Sequence, residues 1–155
     1  MTFTSGGTLK IKDANTSDGS SPTITLQTGD TDIAQDDVLG SIEFQAPDEG
    51  TGTDAILVAA GIAAVSEGDF SSSSNATKLS FKTGASEAAA EKMSLSSAGL
   101  LTVSGRIITD DTTDATSTTD GSLQTDGGLS VAKDAVIGDD LLLLSDSAAI
   151  KFGAD

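Results

Sequence analysis

The sequence predicts an all-β protein, elongated and built of short strands and hairpins in a β-prism-like or β-helix-like arrangement, with little or no helix. Three observations carry this expectation. Thr (20), Ser (21) and Gly (17) dominate the chain of 155 residues, and Thr suits the pleated surface of a strand while Gly suits tight corners. Where apolar residues gather, they mostly alternate with polar ones at period two, the signature of a strand with one buried face. Large core-forming side chains are scarce: Ile, Leu, Val and Phe together number 35, with five Phe and no Trp or Tyr, little above the roughly 20 % below which chains tend to stay disordered. A self-sufficient globular core is hard to build from such material.

Element by element, Leu9 and Ile11 flank Lys10 in GTLKIKD, and Ile24 and Leu26 alternate with Thr and Gln in PTITLQTGD. Between them DANTSDGSSP concentrates the residues that preset turns. Residues 1–35 are therefore expected to hold an N-terminal strand pair. Leu39 to Ala46 (LGSIEFQA) continues the alternation, with Ile42 and Phe44 on one face. The run Ala55 to Val65 (AILVAAGIAAV) is apolar throughout, too short to span a bilayer as a helix, which needs about 20 residues. Interrupted by Gly61 and lacking a polar face, it reads as a strand buried on both sides rather than a helix. Lys78 to Lys82 (KLSFK) and Met93 to Ser96 (MSLS) look like hairpin arms, and GASEAAAEK between them is too short for a lasting helix.

After Gly99 the texture changes. Short apolar bursts recur every six to eight residues (LLTVSG, RIITDD, GSLQTDG, GLSVAKD, AVIGDD, LLLLSD, AAIKFGAD), each followed by Gly or Asp. One short strand per burst is expected, and such units bury their apolar side only by stacking on others. The stretch 109–120 (TDDTTDATSTTD) contains a single Ala and nothing larger that is apolar. The expected organisation is thus 1–35 strand pair, 36–108 a β module, 109–120 a polar linker and 121–155 a short-strand repeat.

Charge excludes several partners. Net charge is −16, with 19 Asp against 5 Glu, and the eight Lys and Arg are scattered. Such a surface repels nucleic acid and anionic lipid, so neither nucleic-acid binding nor membrane insertion is expected. No Cys or His is present, which removes thiolate nucleophiles, imidazole bases and their metal sites. Paired acids stand at Asp36 and Asp37, Asp110 and Asp111, and Asp139 and Asp140. A glycosidase places two carboxylates across a cleft that usually has aromatic platforms, and no Trp or Tyr is there to form them; solvated turn acids are the expected reading. No catalytic or cofactor-binding residues are expected.

One metal candidate stands out. Asp30, Asp32, Asp36 and Asp37 in GDTDIAQDD are hard oxygen donors clustered in a turn, which suits calcium. The spacing departs from the EF-hand loop, since Ala34 falls on the fifth position and Gln35 where the sharp-turn Gly belongs. Solvated acids are again the plainer expectation, with no cofactor. The sequons at Asn15 and Asn75, and the Gly127-Gly128 pair without a phosphate-loop Lys, are read as incidental and as turn chemistry.

Taken together, LGSIEFQAPDEGTG, AAGIAAVSEGDFS, NATKLSFKTG and EKMSLSSAGLLTVSGRI resemble a module found repeatedly in tail-fibre proteins of bacteriophages, particularly those of marine bacteria. TSTTDGSLQTDGGLSVAKDAVIGDDLLL resembles a second, shorter fibre motif, a Gly-Gly-containing strand pair followed by a Gly-Asp turn. The resemblance covers roughly residues 36 to 145 and implies a homotrimeric, strand-rich shaft in an extracellular virion. Its implied partners are copies of itself and neighbouring fibre or tail proteins, with the host surface touched only through other regions. No particle-attachment domain is recognisable before Thr8 and no receptor-binding knob at KFGAD, so a shaft segment is expected. Ala59, Ala60, Gly61, Ala63 and Ala64 would let three backbones approach near the axis, with Leu141 to Leu144 filling a wider layer. Two other readings remain at this stage: a bacterial surface adhesin or surface-layer repeat rigidified by calcium, and a filament subunit that polymerises head to tail.

Overall fold

The structure, a computed structural model, describes residues 9–46, 52–117, 119–138, 141–143 and 150. The acid pair Asp139 and Asp140, the last leucine Leu144, and the KFGAD end lie outside the described residues. The chain divides into two units, Met1–Ile107 and Ile108–Asp155.

The first unit is all-β. Its strands are β1 (Val38–Gln45), β2 (Val58–Ser66), β3 (Thr77–Thr83), β4 (Ala90–Leu95) and β5 (Leu101–Val103), joined in one antiparallel sheet of order β1-β2-β3-β4-β5. Each strand pairs with the next in sequence, so the sheet is a simple meander whose contacts are local and whose loops close cheaply. Alternation sets the strands as the sequence suggests: LGSIEFQ falls in β1, KLSFK in β3, MSL in β4 and LTV in β5. The apolar run resolves as one 3-10 turn at Asp54–Ile56, then β2 in the centre of the ladder. Between β3 and β4 the GASEAA stretch forms bends and no helix. The β4–β5 turn closes on Ser96: Gly99 N–H donates to Ser96 O (3.0 Å) and Ser96 N–H to Leu100 O (3.0 Å). Gly99 sits at φ 78°, a conformation glycine adopts without steric cost.

Two expected elements differ. The described part of the N-terminal strand pair, 9–35, carries no strand ladder. Its polar side chains supply the hydrogen bonds locally instead: Asp13 Oδ1 accepts from Asn15 N–H (2.9 Å), Asp13 Oδ2 from Ser20 Oγ (2.7 Å), and Asn15 Oδ1 from Ser17 N–H (3.1 Å). Such turns compete directly with strand pairing. The apolar residues still meet, because Leu9, Ile11, Pro22 and Ile24 line one shallow groove.

In the second unit the described residues hold no strand either, so none of the expected short strands is formed in the described part of 121–155. Asp120 gathers Thr116 N–H (2.8 Å), Ser117 N–H (2.9 Å) and Thr116 Oγ1 (2.8 Å), and Asp111 accepts from both the amide and the hydroxyl of Thr113. These bonds hold both carboxyls below the ordinary aspartate value, through the Thr113 hydroxyl for Asp111 and chiefly the Ser117 amide for Asp120. Apolar bursts of two to four residues bury nothing without a second layer, and Leu123, Leu129 and Val136 all stand in solvent.

Candidate functional site

The register divides the sheet into two unlike faces. On one face the paired rows run Gly40, Ala64, Leu79, Leu95, Leu101 and Ile42, Ile62, Phe81, Met93, Val103, with Phe44 opposite Ala60 beside them. On the other, Ser41, Ala63, Ser80, Ser94 and Thr102 form a row of small residues, flanked by Glu43, Gly61, Lys82 and Glu91. The first face has no ionisable side chain in these rows. Every charge of the paired strands that takes part in an ion pair within the sheet is on the second.

A bulge helps to make this division. Between Phe81 and Lys82 the β3–β4 register shifts, so that Lys92 is passed over and Glu91 comes opposite Lys82. Strict alternation from Met93 would put Glu91 on the apolar face; the extra residue re-aims it. Glu91 then meets Lys78 Nζ at 3.0 Å. Its carboxyl is held below the ordinary glutamate value first by the nearby Ser80 hydroxyl and then by Lys78. Ser80 itself is buried, and its Oγ makes no hydrogen bond of ordinary geometry.

Burial is reversed from what a one-layer sheet usually shows. Among the described residues the buried apolar side chains are Ala63 (2 % exposed) and Val65 (8 %), both on the polar face. On the apolar face Ile42, Phe44 and Leu101 remain 52 %, 56 % and 56 % exposed. Among the described residues one corner is covered, where Ile24 and Leu26 lie along Gly40, Ile42, Ile62, Ala64 and Leu79. Gly40 permits that approach, since a Cβ there would stand 2.7 Å from Leu26 Cβ. The expectation that β2 is buried on both sides is therefore corrected: it is central in the ladder but open on one face. Its small residues also divide. Ala60 and Ala64 belong to the apolar face, Gly61 and Ala63 to the other, because neighbours along a strand point oppositely.

The calcium candidates do not converge. Asp30 Oδ1 accepts from Asp32 N–H (3.0 Å), and Asp37 Oδ2 accepts from Ala34 N–H (2.7 Å). Asp36 adopts φ 70° and donates its N–H to Ser66 O (3.1 Å). Among the described residues no three acidic side chains gather as a metal shell; Asp30, Asp32, Asp36 and Asp37 lie in a loop pinned to the end of β2. The carboxylates of Asp30 and Asp37 serve that loop's own amides.

Ser66 pins it. Fully buried at the end of β2, Ser66 donates its hydroxyl to Ala34 O and accepts from Asp37 N–H (2.9 Å), while its own N–H donates to Asp37 O (2.9 Å). Phe70 N–H to Ile33 O (2.9 Å) and Gln35 N–H to Asp69 Oδ1 (3.3 Å) complete the clamp. Close by in sequence, Glu67 Oε2 accepts from Ser97 N–H (2.9 Å), and Ser97 holds the Glu67 carboxyl below its usual value. Sequence reasoning passes over Ser66; its signal is a lone hydroxyl ending an apolar strand. No catalytic pairing of carboxylates emerges in the sheet, whose Glu43 and Glu91 are separated by the Gly61 and Lys82 positions.

No protein-family model and no curated protein matches this sequence.

Proposed function

We propose that the chain is a structural module, a shaft segment of a homotrimeric phage tail fibre, and that it performs no catalysis. One observation carries the reading: on the uncharged apolar face of the five-stranded sheet Ile42, Phe44, Ile62, Leu79, Leu95 and Leu101 stay exposed, and among the described residues the buried apolar side chains are Ala63 and Val65. A sheet of this kind gains its stability from a second layer, which copies of the same chain supply at no cost in new sequence. The tail-fibre assignment rests on the resemblance of residues 36 to 145, and the virion location and contact with neighbouring fibre proteins follow from it. In this role the module is a stiff spacer, joined to the host surface through other regions. Acidic loops keep separate fibres from associating sideways.

Light scattering or sedimentation at several concentrations tests the reading. The expected result is a concentration-independent mass of three 15.4 kDa chains. A monomer at all concentrations would overturn it, and a broad ladder of larger species would replace it with an open filament.

A further inference from the structure

We infer that the face carrying Ile42, Ile62, Leu79, Phe81, Leu95 and Leu101 is turned to the trimer axis and covered by the same face of two further copies, while the opposite face, with Glu43, Glu91 and Thr102, stays toward water. The inference rests on the homotrimeric reading and names its contact.

Charge selects the face. Each copy carries −16, so association must take place where carboxylates are absent, because like charges brought together at an interface are costly. The rows of the apolar face hold no ionisable residue, whereas the opposite face presents Glu43, Lys78, Lys82 and Glu91. Area agrees. The exposed portions of Ile42, Phe44, Ile62, Leu79, Leu95 and Leu101 amount to on the order of 500 Å² of apolar surface, a fair part of the roughly 800 Å² each partner contributes to a standard interface.

Relief agrees too. Ala60 makes a low place beside Phe44, Ile62 and Phe81, and alternating low and tall side chains let facing sheets interdigitate. The polar face has no such relief to offer. Its small residues lie beneath the Lys78–Glu91 pair, and covering them would strip water from Glu91 and Lys82 without supplying a partner. Within the described residues of the first unit, Ile24 and Leu26 reach the Gly40 corner, and Phe44, Phe81, Met93 and Leu101 lie beyond it.

The chain has no cysteine, so single thiols report burial cleanly. Ile62→Cys and Thr102→Cys place a thiol on opposite faces at positions that are both exposed in the isolated chain. In full-length protein at the concentration used for the mass measurement, Ile62→Cys should react with a maleimide at least tenfold more slowly than Thr102→Cys. As a second variant, Ile62→Asp should reduce the mass from three chains to one, and Thr102→Asp should not. A trimeric wild type in which both thiols react alike, or in which Ile62→Asp remains trimeric, overturns the choice of face and leaves the trimer standing. A monomeric wild type overturns the trimer, and if Ile62→Cys is nevertheless protected there, the cover comes from the chain itself.

Discussion

Replacing Gly40 with Ala probes the place where Leu26 crosses the sheet. The new Cβ would lie 2.7 Å from Leu26 Cβ and 3.5 Å from Leu26 O, where carbon atoms prefer about 3.5 to 4.0 Å. Both Cβ atoms are fixed to their backbones, so no rotamer relieves the overlap. Either the edge of the sheet deforms, at a cost of about 1 to 3 kcal/mol for overpacking, or the segment around Leu26 lifts away. Lifting forfeits only what Leu26 buries, and at 50 % exposure that is about 1 kcal/mol. The cheaper route wins, so Gly40→Ala should cost about 1 kcal/mol, or about 4 to 8 °C in Tm for a unit near 100 residues. Thermal melts at fixed protein concentration measure this, and hydrogen exchange should show faster exchange around Leu26 with strand amides unchanged. Leu26→Gly removes the clashing atom; the double variant should be no less stable than Leu26→Gly alone. A loss beyond about 3 kcal/mol that Leu26→Gly fails to relieve would refute the reasoning, since it would mean that the sheet and not the segment yields.

Other consequences follow from the loop clamp and the acids. Ser66→Ala removes the hydroxyl that serves Ala34 O and Asp37 N–H, and chemical denaturation should register a loss of about 1 to 3 kcal/mol; a change below about 0.5 kcal/mol would show that the loop is held by its backbone bonds alone. Glu67 and Glu91 both have folded pKa values lowered from 4.5, so their stabilisation is complete above that value and fades as the pH falls through the lower folded values. Acid melts of Glu67→Gln should accordingly show a shallower loss of Tm below pH 4.5 than wild type, and parallel curves would contradict the Ser97 contact. Millimolar calcium or chelator should move Tm by less than about 1 °C, because a site that bound the ion would raise stability by mass action. A calcium-dependent rise would point to Asp30, Asp32, Asp36 and Asp37 as ligands and favour the adhesin reading.

Legibility was greatest where alternation ran long enough to be counted. Ile42 with Phe44, Leu79 with Phe81 and Met93 with Leu95 each mark a strand and the face it shows, because the period of two is a property of the pleat and needs no partner. The same reasoning misplaced Leu9 with Ile11 and Ile24 with Leu26 as a paired ladder. There the Asp13 and Asn15 side chains order the turn through the Asn15 and Ser17 amides, while the alternating residues on either side form no ladder; whether two such runs pair is decided between them and not by the pattern of either. For the acids of GDTDIAQDD, composition records which oxygens are present, and the structure adds that amides of the same loop bond the Asp30 and Asp37 carboxylates.

By itself the sequence determined the all-β character of the first unit, the approximate position of its five strands and the shortage of core, since these follow from side-chain volume and periodicity along the chain. Only the tertiary structure decided that the strands form one meander, that a bulge at Lys92 carries Glu91 away from the apolar face, and that Ser66 ties the loop before β1 to the end of β2. Each of these joins residues that are distant in sequence or depends on a one-residue shift of register, and register is chosen by the sum of contacts across a ladder, which no single strand contains.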